Sequence, residues 1–221
     1  IAPQYLDRVD VLMGGGAAFF SPETRSDQRD LIDEFRKAGY AFWHTRDPVC
    51  GPERPERVLG LFNKGHLPYS IDHLAQPAVA KRVPSLAEMT RKALQVLGAS
   101  PGGFLLQVEG GRVDHAAHNN DAAALLRDQI AFDDAIAAVC EYAAERDDTL
   151  VVITTDHGNS NPGLVGMGEA YRRSTKCFER LFEAGASYEE LLRRLKAEAG
   201  DRPTPKTVSD VVRAHLNISL A

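Results

Sequence analysis

Two short runs in this 221-residue chain concentrate side chains that can hold metal ions: Glu109-Gly-Gly-Arg-Val-Asp-His-Ala-Ala-His118 and Asp156-His-Gly-Asn159. Imidazole nitrogen with carboxylate oxygen suits zinc, while carboxylate oxygen alone suits magnesium. Asp114 and His118 stand one helical turn apart, so on a helix both lie on one face and can share an ion. Asp156 and His157 are adjacent, and on a turn leaving a strand both reach a neighbouring centre. Gly110 and Gly111 let the backbone bend closely around the first run. The same residues also admit a structural reading. Asp114, Asn119, Asn120 and Asp121 are good helix caps, and His115 and His118 would then be surface side chains.

The elements that must position these runs follow from apolar patterning. Strands are predicted at Val9–Met13, Tyr40–Thr45, Val58–Phe62, Phe104–Val108 and Leu150–Thr155. Helices are predicted from Ser26 to Ala38, from a capping box at Ser85 with Glu88 to a stop at Gly98, and from about Ala117 to Glu145. In the last of these, Leu125, Phe132, Ile136, Val139 and Ala143 form one buried stripe. Two further capping boxes, Ser187 with Glu190 and Thr207 with Asp210, open helices near the end. Asn63–Arg82 and Asn159–Gly168 read as turn-rich or loop, and Gly14–Gly16 as a turn rather than a phosphate loop. Continuous apolar strands alternating with helices imply an α/β fold, a largely parallel sheet with helices on both faces. Ligand sites in such sheets lie beyond the carboxyl ends of strands. Both metal-competent runs occupy that position, after Val108 and after Thr155.

Composition is that of a globular domain, with 43% hydrophobic and 26% charged residues. A net charge of -5 and a pI of 5.8 give no basic footprint for nucleic acid. No apolar run reaches the roughly 18 residues of a membrane span. Cys50, Cys140 and Cys177 fit no zinc-ribbon spacing and read as free or buried thiols. The start at Ile1, without Met or leader, is read as a processed or truncated product.

The run from Gly103 to His118 resembles the signature region of the alkaline phosphatase family, and Thr154–Asn159 is similar to that family's second metal motif. Asp10–Gly16, Leu59–Phe62 and Pro84–Thr90 resemble it as well, so the likeness spans roughly Ile1 to Gly168. The resemblance implies an alkaline-phosphatase-like sandwich, with 1–221 as the C-terminal portion of a single, incomplete domain. It implies a phosphate monoester hydrolase that uses two Zn2+ and one Mg2+. By position, Glu109 matches the magnesium ligand, Asp114 and His118 two ligands of one zinc, and Asp156 and His157 two ligands of the other. His115 matches a residue near the bound phosphate, and Arg112 matches no assigned role. The family's nucleophilic Ser, an Asp shared by zinc and magnesium, and a phosphate-gripping Arg have no counterpart here. The family's last zinc-ligand His has none either, because His215 sits in a predicted helix and reads as a packing or surface residue. The chain alone is therefore expected to be weakly active or inactive. The resemblance also implies a phosphate monoester substrate, leaves room for a homodimer, and points to a periplasmic or secreted location. Two rival readings are a related phosphomutase, sulfatase or phosphodiesterase, and a non-catalytic metal-binding module. The spacing from Glu109 through Asp114 to His118 favours the monoesterase.

Overall fold

The structure is a computed structural model and describes residues 1–159 and 174–219. Its elements run in the order β1 (Val11–Gly14), α1 (Leu31–Lys37), β2 (Ala41–Trp43), α2 (Asp47–Cys50), β3 (Val58–Leu61), α3 (Ser70–Ala75), α4 (Pro77–Arg82), α5 (Leu86–Leu97), α6 (Gly111–His118), α7 (Ala122–Ala144), α8 (Ser174–Glu183), α9 (Tyr188–Ala199) and α10 (Pro205–Leu216). Chain contacts divide it into two compact units. One comprises residues 1–68, 77–109 and 131–153, and the other residues 69–76, 110–130 and 154–221.

The first unit is built on a parallel sheet in the order β1-β3-β2. Val11 to Gly14 pair with Val58 to Leu61, and Ala41 to Trp43 pair with Val58 to Gly60. The two-residue period of the strands sorts their side chains onto two faces. Val58 packs with Trp43, Val11, Met13, Met89 and Val96 on the α5 face. Leu59 and Leu61 pack with Leu12, Phe42, Leu31 and Phe35 on the α1 face. β3 is buried along its whole length because it has a strand on either side and a helix layer above and below. That is why its sequence is an unbroken apolar run. Gly60 is required by packing, since a Cβ there would stand 2.7 Å from the Phe62 ring and 2.9 Å from Met13. The turn after β1 is a close backbone approach: the Gly16 amide donates to the Gly65 carbonyl at 2.6 Å, and a Cβ on Gly15 would sit 2.3 Å from the same oxygen. The α/β class with a small parallel sheet thus matches the sequence reading.

α5 forms as predicted. Ser85 Oγ accepts from the Glu88 amide, the Glu88 carboxylate accepts from the Ser85 amide, and Gly98 ends the helix. Burial pushes the Glu88 carboxyl up, but hydrogen bonds from Arg46 and the Ser85 amide outweigh it and hold it down at about 2.

Several expectations are corrected. The first helix starts at Leu31 rather than Ser26, because Asp30 supplies the cap by accepting from the Asp33 amide. Residues 63–82 contain two short helices, α3 and α4, where the sequence reads as turns. The long helix from Ala117 is two helices, because Asn120 adopts a left-handed φ of 53° and Asp121 restarts the chain. Along α7 the most buried positions are Ala123, Ala124, Asp128, Ala135 and Ala138, and the predicted stripe from Leu125 to Ala143 is only half-buried. The last helix is capped by Thr204, not Thr207.

Phe104–Val108 and Leu150–Thr155 form no strand. A strand is defined by its hydrogen-bonded neighbour, and these segments have none among the described residues. Their apolar side chains stand open, with Leu105 95% and Leu150 88% exposed. The loop expected at Asn159–Gly168 lies, beyond Asn159, outside the described residues. Cys50 and Cys140 are free thiols, and no helix among the described residues is long and apolar enough to cross a membrane.

The second unit is helical. Tyr69, Ile71, Ala116, Ala123, Ala124, Leu191, Val211 and Leu216 form its core. Three buried aspartates tie its helix starts together. Asp72 accepts from the Ser187 amide and hydroxyl at 2.9 and 2.6 Å, Asp128 from the Ser70 amide and hydroxyl, and Asp121 from the amides of Ala124 and Tyr188. Ser187 caps α9 as predicted, yet the reciprocal Glu190 bond of a capping box does not form. Asp72 takes the Ser187 amide, and the Glu190 carboxylate is held by Arg193 and Arg194.

Candidate functional site

α6 begins at Gly111, with Gly110 as its N-cap residue. Its period turns Ala116 and Ala117 into the core, and they are 0% and 4% exposed. Asp114 and His118 fall on the open face, one turn apart. Asp114 lies in the first turn and His118 in the last, the ends at which a carboxylate and an imidazolium suit the helix dipole. The Asn119 side-chain amide donates to the Tyr69 hydroxyl at 3.2 Å and secures the helix end.

Asp114 Oδ2 stands 3.6 Å from His118 Nε2. Its other oxygen, Oδ1, accepts from the Asn159 side-chain amide at 2.6 Å. One carboxylate oxygen is thus anchored and the other faces the histidine. Sequence reading assigned Asn159 no role, and its place in the Asp-His-Gly-Asn run was the only available signal.

The second pair has the same spacing, with Asp156 Oδ2 3.5 Å from His157 Nε2. The other Asp156 oxygen accepts from the His157 amide at 3.0 Å. His157 Nδ1 lies 3.0 Å from the Gly158 carbonyl, which can only accept, so Nδ1 carries the proton. In the neutral ring the Nε2 lone pair is then available, the tautomer that a metal-ligating imidazole requires. The Gly158 carbonyl first, then Asp156, and further off Asp114, hold the His157 pKa above its ordinary value.

These distances test whether a metal would fit. Two ligands at zinc, each about 2.0–2.1 Å from the ion and set tetrahedrally, lie about 3.3–3.4 Å apart. The two pairs, at 3.6 and 3.5 Å, are within a few tenths of that spacing. Each pair offers one nitrogen and one oxygen, the borderline donor set zinc takes. No group of three or more such side chains gathers among the described residues, so each pair is at most part of a coordination shell.

The other candidates fall elsewhere. Glu109 is exposed just before α6 and belongs to the first unit, whereas the two pairs belong to the second. His115 is held by Arg112, whose Nη1 lies 3.2 Å from its Nδ1. His215 sits on α10 against the Arg194 guanidinium. Burial first, and then Arg194, lowers its pKa, as expected for a packing residue. The turn Gly14–Gly16 borders an apolar cavity of about 530 Å3 whose only charged wall residue is Arg25.

A small parallel sheet among many helices defines a mixed α/β chain, with its two Asp/His pairs in the helical unit. The chain belongs to the alkaline phosphatase family, whose profile matches residues 1–197. That match runs past Gly168, where the likeness read from sequence stops. The chain is 36% identical over 189 residues to alkaline phosphatase 3 of Bacillus subtilis, covering 81% of this chain and 38% of that protein. Its structure superposes on Thermus thermophilus alkaline phosphatase with a TM-score of 0.91 at 38% identity, covering 100% of this chain and 45% of the other. TAB5 alkaline phosphatase, in a mutant with Mg bound, shares the fold at a TM-score of 0.51 and 21% identity, over 65% of this chain and 39% of that one. The chain therefore spans less than half the length of each.

Proposed function

We propose that this chain carries part of the metal centre of a phosphate monoester hydrolase. Asp114 with His118 would hold one zinc, Asp156 with His157 a second, and Glu109 a magnesium ion. Bound there, such ions supply Lewis-acid chemistry, activating an oxygen nucleophile and offsetting charge on the leaving oxygen. The residues of this chain bind and orient. Asn159 fixes the Asp114 carboxylate, Gly158 fixes the His157 tautomer, and His115 stands one residue from a ligand, where it would meet a phosphoryl oxygen. The nucleophilic Ser and the remaining ligands would come from polypeptide outside these 221 residues, so this chain alone turns over phosphate esters weakly or not at all. Export to the periplasm or medium, and pairing into a homodimer, accompany this reading as expectations.

The observation that carries the reading is the matched spacing of two Asp/His pairs at 3.6 and 3.5 Å in a chain of this family. The test is zinc binding by calorimetry to the chain and to His118→Ala and Asp156→Ala. Zinc should bind the unaltered chain, and each substitution should weaken its own site at least tenfold. Absence of zinc binding, or binding indifferent to both substitutions, would overturn the proposal.

A further inference from the structure

Arg112 precedes Asp114 in the first turn of α6. Its guanidinium carbon sits 3.5 Å from the Tyr69 ring centroid, so the planar group lies against the aromatic face. One terminal nitrogen, Nη2, donates to Glu189 at 2.7 Å, and the other, Nη1, reaches His115 Nδ1 at 3.2 Å. The Arg112 side chain is 12% exposed although Glu189 is 66% exposed, so the arginine is the buried member of that ion pair. Its Nε is buried without a partner among the described residues. The geometry thus favours the stack and the two terminal contacts over satisfying Nε.

The contact with His115 has only one chemical sense. Arginine has donors and no acceptor, so Nη1 must donate and Nδ1 must accept. A neutral His115 then carries its proton on Nε2. We propose that Arg112 is a positioning residue for His115. Clamped by Tyr69 and Glu189, it fixes the imidazole as the Nε2–H tautomer, the form that meets an anionic phosphoryl oxygen as a hydrogen-bond donor. The phosphate-facing part of this inference rests on the proposed function, while the tautomer does not. Lysine cannot replace Arg112, because an ammonium has no planar face to stack and no fork to reach both Glu189 and His115.

The test is long-range proton–nitrogen NMR of the histidine rings in the 15N-labelled full chain without metal, at a pH where imidazole is neutral. His115 signals are identified by their loss in His115→Asn. The unaltered chain should show His115 as a single Nε2–H tautomer, and Arg112→Lys and Arg112→Gln should each give a mixture. An Nδ1–H or mixed tautomer in the unaltered chain, or an unchanged tautomer in both variants, would overturn the proposal even if a variant were poorly folded. Titrating the zinc-loaded chain with inorganic phosphate, followed by 31P NMR, separates the two readings. Arg112→Lys should weaken phosphate in proportion to the fall in the Nε2–H population, about twofold for an even mixture. An Arg112-dependent tautomer without any phosphate binding would remove the phosphate-facing part of the inference and leave the positioning role standing. Phosphate binding with a tautomer indifferent to Arg112 would do the reverse.

Discussion

Asp121 should be the most sensitive polar position of the helical unit, because one buried carboxylate starts two helices. It is 1% exposed. Oδ1 accepts from the Ala124 amide at 3.0 Å, the N-cap bond of α7, and Oδ2 accepts from the Tyr188 amide at 2.7 Å, the first amide of α9. Asp121→Ala removes both. Loss of an N-cap costs about 1 kcal/mol and a buried amide left without a partner about 1–3 kcal/mol, together about 2–4 kcal/mol. Asp121→Ser can still cap α7 but cannot reach Tyr188, so it should cost about 1–3 kcal/mol. Asp121→Asn retains one acceptor oxygen and turns an amide NH2 toward the other N–H, which places it between the two. Urea unfolding followed by far-UV circular dichroism would rank the three, and amide hydrogen exchange at Ala124 and Tyr188 would show which bond each variant loses. If Asp121→Ala lies within about 0.5 kcal/mol of the unaltered chain, the surface-substitution range, the double-cap account is refuted. It also fails if the Ser and Ala variants are equally destabilised.

Burial first, with Asp72 adding to it and Ser70 opposing, raises the Asp128 carboxyl to about 6. In the unfolded chain it titrates near its ordinary value of about 4, so the folded state holds the proton more tightly. Stability from this group is therefore fully present below about pH 4 and is lost as pH rises through about 6, by about 3 kcal/mol. Asp128→Asn should abolish that component. If the stability difference between it and the unaltered chain is flat from pH 4 to 7, the burial account is wrong. The open segments at 104–108 and 150–155 predict self-association through Leu105, Leu150 and Val152, which are 95%, 88% and 74% exposed. Leu105→Lys combined with Val152→Lys should shift the chain toward monomer in sedimentation velocity, and unaltered association would count against this surface.

The local code of this chain was legible where a short-range rule decided the outcome. The Ser85 capping box and the stop at Gly98 depend on neighbours in sequence and form as read, while the runs read at Val9–Met13, Tyr40–Thr45 and Val58–Phe62 become strands with shifted ends, at Val11–Gly14, Ala41–Trp43 and Val58–Leu61. The spacing of Asp114 and His118 likewise predicts a shared helix face, because helical periodicity is local. What the sequence could not decide was pairing and depth. Phe104–Val108 and Leu150–Thr155 have the composition of strands, but strand identity is conferred by a partner, and they have none among the described residues. The alanines of α7 outrank Leu125 and Ile136 in burial, an ordering of depth that periodicity does not report. Asp121 was one of several cap candidates after His118. Only the tertiary structure selected it, through a second amide on Tyr188, far away in sequence. Arg112 had no legible role at all. Its meaning comes from Tyr69, Glu189 and His115 meeting around one guanidinium, and such a meeting exists only once the chain is folded.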